Sequence, residues 1–105
     1  MQECEEVLLR EGGPEGFARE VRGGDEPSVE RIEQVIEALK QLATVSGEWD
    51  SIPRQLACAL YVLSFHLSGE VAGAEAYGRK FSEQTTELLP QMYELIDEVF
   101  GVLDD

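Results

Sequence analysis

His66 is the only histidine in the chain, so any nucleophile activated by an imidazole would have to use it. It stands in Phe65-His66-Leu67, at the end of the most apolar run, and no motif joins it to a serine or cysteine. The plainer reading is a partly buried histidine near a helix C-terminus, where its charge meets the helix dipole favourably. Glu70 follows four residues later and pairs with it if the helix continues past Gly69.

Carboxylates are abundant, but their spacing does not make a metal site. Di-metal centres in helical bundles use Glu-x-x-His pairs with further carboxylates facing inward, and no such pair occurs. There is no EF-hand loop, Cys-x-x-Cys pair or His-Glu-x-x-His helix either. Glu94, Asp97 and Glu98 face away from Leu95, Ile96 and Val99, and Glu83, Glu87, Glu94 and Glu98 read as a solvated outer stripe. Two glycine-rich stretches fail as phosphate loops. Gly12-Gly13-Pro14-Glu15-Gly16 follows no strand and has no lysine, and Gly23-Gly24 runs into Asp25 and Glu26. Both are turns. Cys58, in Leu56-Ala57-Cys58-Ala59-Leu60, reads as a small buried hydrophobe, and the acids around Cys4 raise its pKa. The sequence therefore predicts no catalytic residue, no metal and no cofactor.

What remains concerns surfaces. Twenty-two acids against eight bases leave a net charge of −14. That charge disfavours nucleic acid and anionic membrane as direct partners and favours a basic protein. An acidic host proteome is the plainer source of such a surplus. The functional reading places the contact on Glu30, Glu33 and Glu37, together with Glu48, Trp49 and Asp50 in the following loop. Glu33 and Glu37 are like charges four apart, which weakens a helix slightly. Trp49 has two readings, a cap folded over the core or an interface anchor with an acidic rim. Tyr77 and Tyr93 are further anchor candidates whose spacing with Phe81 and Val99 fits the core. Gly73, Ala74 and Gly78 leave a small-residue face for close approach of another helix, inside the bundle or from a second copy in a homodimer.

These residues must be positioned by helices. Apolar residues recur at helical spacing almost throughout, and nothing reads as a sheet. The expected fold is all-α: one domain over 1–105, a compact helical bundle of about five to six helices. Two short peripheral helices fall within 1–24, and core helices at 28–45, 52–67, 71–84 and 86–103. The stripe of Val29, Ile32, Val35, Ile36, Leu39 and Leu42 is the best-marked element. Helix 52–67, apolar nearly all round, is expected at the centre, covered on most sides. Ser68-Gly69 is expected to end it. Thr85 or Thr86 is expected to cap the last helix, leaving Pro90 in its first turn; one helix kinked at Pro90 is the alternative. The apolar run 56–67 spans about 18 Å, short of the roughly 30 Å of a bilayer core. The N-terminus lacks a basic-then-apolar leader, so the expected setting is cytoplasmic.

Three functions fit: a small inhibitor, antitoxin or immunity-type protein masking a basic partner; a self-associating structural or scaffold protein; and, third, a metal-dependent or acid–base enzyme.

Overall fold

The computed structural model describes residues 2–47 and 49–101. They form five helices, and no strand occurs among the described residues: α1 Glu3–Glu11, α2 Phe17–Arg22, α3 Val29–Ser46, α4 Arg54–Ala76 and α5 Glu83–Phe100. α3 begins where the sequence places it. The Ser28 hydroxyl accepts from the Arg31 amide at 3.1 Å and satisfies one of the free donors of the first turn. Its stripe of Ile32, Val35, Ile36, Leu39 and Leu42 is buried, and α3 packs chiefly against α5 and α1.

Helices α1 and α2 are nine and six residues long, too short to persist alone in water. An ion network fixes them. Arg31, on α3, grips the carboxylate of Glu11 with both Nε and Nη2, Nε standing 2.9 Å from Oε2, and its Nη1 reaches Glu20 Oε2 at 2.7 Å. The same guanidinium lies 5.2 Å from the centre of the Phe17 ring. The Glu11 side chain is only 2% exposed, so its charge depends on this grip, with Arg10 Nε adding a longer contact at 3.3 Å. The Gly12–Gly16 turn completes the joint. A methyl on Gly12 would run into the backbone of Ala59 in α4, and one on Gly16 into the backbone carbonyl of Glu11. Close backbone approach explains the glycines, in a turn as expected.

The division of the C-terminal half differs from the expectation. α4 does not stop at Ser68-Gly69. It passes through a π-turn at Val62–His66 and continues to Ala76. Ser68 returns its hydroxyl to the Phe65 carbonyl at 3.0 Å, so it is satisfied inside the helix. The end comes at Gly78, in the left-handed region at φ 88°. There the Gly78 and Arg79 amides bond back to Glu75 and Ala74 at 2.9 and 3.1 Å. The expected helix 71–84 is thus the end of α4 plus a connection over 77–82, and the last helix starts earlier than 86.

Its cap is Ser82, not Thr85 or Thr86. The Ser82 hydroxyl accepts from the Thr85 amide at 3.2 Å, while Glu26 receives the Ser82 amide at 3.0 Å and the Thr85 hydroxyl at 2.6 Å. Pro90 therefore lies well inside α5 rather than in its first turn. It faces outward, as does Thr86, whose carbonyl loses its partner, while Leu89, Met92 and Ile96 hold the opposite face in the core. Gly101, at φ 73°, ends the helix.

α4 is apolar but not covered on most sides. It buries Leu56, Leu60, Leu63 and Leu67 against α1, α2 and α5, and its other face is open.

Two tests follow from these contacts. Arg31→Ala leaves Glu11 buried with only Arg10 beside it, and urea unfolding should show a loss of about 3 kcal/mol. A loss below about 1 kcal/mol, the range of a surface pair, would contradict the network. The second concerns Glu26. Burial acts to raise its pKa, but hydrogen bonds from Thr85 and Ser82, with the charge of Arg79, outweigh it and hold the carboxyl below its ordinary value of 4.5. A depressed folded pKa gives stability that is present above 4.5 and lost as pH falls through the folded value. Wild type should exceed Glu26→Gln in stability at neutral pH, with the gap closing below pH 4.5; a gap independent of pH would refute this.

Candidate functional site

Glu30, Glu33 and Glu37 form an exposed row on the outer side of α3. Among the described residues none of the three makes an ion pair within 4.0 Å. The carboxylates that organise the fold behave otherwise: Glu11 and Glu20 hold Arg31, and Glu70 stands 3.7 Å from both Arg22 and His66. The α3 row is acidity that no described cation neutralises.

The structure does not join that row to the loop beyond α3. Nine residue steps, about 14 Å of helix, take α3 from Glu37 to Ser46 before the loop begins. Trp49 is half-buried and packs against the core, in keeping with the cap reading. Asp50 is exposed, and Glu48 lies outside the described residues.

His66 departs from its expected place. It sits in the π-turn in the middle of α4, exposed, rather than partly buried at a helix end, because the helix continues beyond it. Its Nε2 does approach Glu70 as the spacing allows, at 3.7 Å. His66, Arg19 and Arg22 line a groove of about 600 Å³ between α2 and α4. Each already faces a carboxylate, Arg19 facing Glu15 at 3.5 Å, so the groove has a neutralised rim rather than an anion site. No group of three His, Cys, Asp or Glu suited to a metal occurs among the described residues.

A second surface was not anticipated. Along the open side of α4, Cys58, Tyr61, Phe65, Gly69, Ala72 and Ala76 are all exposed and follow one another every three or four residues. Tyr61 and Phe65 are 53% and 70% exposed and stack on each other, ring centres 5.5 Å apart. Helix lengths account for the bare side. α4 is 23 residues long, about 35 Å, while the flanking α1 and α2 amount to fifteen, too few to wrap it. By length, and by a mean hydropathy of 1.3 over its most apolar eighteen residues, it also has the composition of a membrane-crossing helix, as a buried core helix can, which the shorter run 56–67 concealed.

Cys58 is exposed, not buried, because it lies on this open side; Cys4 is the buried thiol, its pKa raised first by burial and then by neighbouring Glu5 and Glu3. Tyr77 is 94% exposed rather than part of the core, since it falls in the turn after α4. Tyr93 is partly buried, its pKa pushed up to about 12 by burial and by Glu75. The small-residue face of Gly73, Ala74 and Gly78 is split: Ala74 packs inward, Gly78 serves the turn, and a methyl on Gly73 would meet nothing within 4 Å.

The two thiols give a direct check on the exposed face. In the native protein a maleimide should modify Cys58 rapidly and Cys4 only after denaturant is added. Equal rates, or faster reaction at Cys4, would contradict the packing. No protein-family model, no curated protein and no solved structure matches the chain.

Proposed function

We propose that the chain is a non-catalytic binding protein that holds a basic protein partner on the acidic face of α3, in the manner of a small inhibitor, antitoxin or immunity protein. The observation that supports this most is the row of Glu30, Glu33 and Glu37, exposed and unpaired among the described residues on a chain of net charge −14. Like charges at this spacing cost helix stability, and the long α3 carries them because its apolar face is anchored through Ile32, Val35, Leu39 and Leu42. A row of fixed carboxylates on a rigid helix speeds the encounter with a cationic surface and repels acidic competitors. Asp50 is exposed in the loop beyond α3 but stands apart from this row, and Trp49 packs that loop against the core.

The test is capture from the native host followed by titration of the captured protein. It should be basic, and its affinity should fall at least about tenfold between about 0.05 M and 0.5 M salt. E30K/E33K/E37K should abolish binding while helical circular dichroism is unchanged. An acidic partner, or one indifferent to salt and to the triple reversal, would overturn the reading.

A further inference from the structure

We infer that two copies of this chain associate through the open side of α4, antiparallel and two-fold symmetric about Phe65. This goes beyond the basic-partner reading and rests on a different helix. The face is an uncharged strip on a chain of net charge −14: from Cys58 through Tyr61, Phe65, Gly69 and Ala72 to Ala76 it carries no carboxylate, no basic side chain and no polar group beyond the thiol and the phenol. The stacked aromatic pair has no covering element among the described residues.

Its two halves are complementary. The N-terminal half is bulky and the C-terminal half small, which is what a symmetric contact between identical patches requires. With Phe65 at the two-fold axis, Tyr61 falls opposite Gly69 of the second copy and Cys58 opposite Ala72. Arg54 then comes beside Glu75 of the second copy, so opposite charges close both ends; both residues are exposed. Gly69 and Gly73 fit the same arrangement. A methyl on either meets nothing within 4 Å, so packing inside one chain does not call for glycine there, although glycine weakens a helix.

Other occupants fit less well. Crossing a membrane would strip Leu56, Leu60, Leu63 and Leu67 out of the core, and the net charge repels anionic lipid. The area suits a modest dimer. A strip about 27 Å by 10 Å on each copy is smaller than most specific interfaces, which makes the association weak and transient, with dissociation in the range of about 0.1–1 mM. Because both copies are acidic, added salt should tighten the dimer by screening repulsion. A basic partner on α3 responds in the opposite sense, so the two proposals fail separately.

The experiment is sedimentation equilibrium of the full chain across a salt series. The mass should rise from 11.7 kDa toward twice that value with concentration, more readily at about 0.5 M salt than at 0.05 M. Phe65→Glu should stay monomeric with unchanged helicity. Gly69→Leu, at a position where an added Cβ meets nothing within 4 Å in the monomer, should fold and also stay monomeric. Orientation is read by mild oxidation. Ala72→Cys should give a covalent dimer through Cys58, whereas wild type and Cys58→Ser/Ala72→Cys should not. A wild-type monomer at high concentration and high salt would overturn the proposal. So would a Gly69→Leu dimer, efficient Cys58–Cys58 linkage in wild type, or binding to neutral lipid vesicles, lost in Phe65→Glu, by a chain that is monomeric without them.

Discussion

One guanidinium orients three helices. Arg31 reaches from α3 to Glu11 at the end of α1 and to Glu20 on α2 while resting on Phe17. Apolar contact alone would let helices of nine and six residues settle in several ways, because burial is not directional. A buried carboxylate is selective: Glu11 tolerates only arrangements that bring it a cation with fork geometry. The glycines of the 12–16 turn reinforce the choice, since only they let α1 end against the backbone of α4. Arg79 makes a similar tie, donating to the Val21 carbonyl at 2.9 Å and closing the end of α2.

The external surfaces follow from this joint. With α1 and α2 pinned toward α3, they cover one side of α4 and leave the other bare. α1 and α5 each pack against both α3 and α4, so the acidic row and the apolar strip are carried by helices with common neighbours but different outer faces. One surface is built from charge that attracts cations at low salt, the other from apolar area that works best when charge is screened.

Much of the fold was legible in the sequence. Ser28 followed by an unbroken apolar stripe marked α3 to within a residue at each end, and the all-α class followed from periodicity. The acidic row could be read from Glu30, Glu33 and Glu37 alone. What escaped depended on distant residues. Ser82, Thr85 and Thr86 are chemically equivalent caps, and Glu26, fifty-six positions away from Ser82, decides among them. Ser68-Gly69 resembles a stop, but a helix reads through it when one face is anchored by Leu63 and Leu67. Glu11, Glu20 and Arg31 looked like ordinary members of a charge surplus, for nothing local marks a carboxylate as buried. An all-round apolar helix told nothing of how many neighbours would be there to cover it.

The whole arrangement hangs on the coupling between Glu11 and Arg31, and a double-mutant cycle measures it. Glu11→Leu, Arg31→Met and the pair together, compared with wild type in urea unfolding, isolate the interaction from the effects of each side chain alone. Each single change should be strongly destabilising and the double change clearly less so than their sum, with a coupling of about 2 kcal/mol or more. Additive losses, within about 0.5 kcal/mol, would mean that the helices are positioned without this pair and would contradict the account.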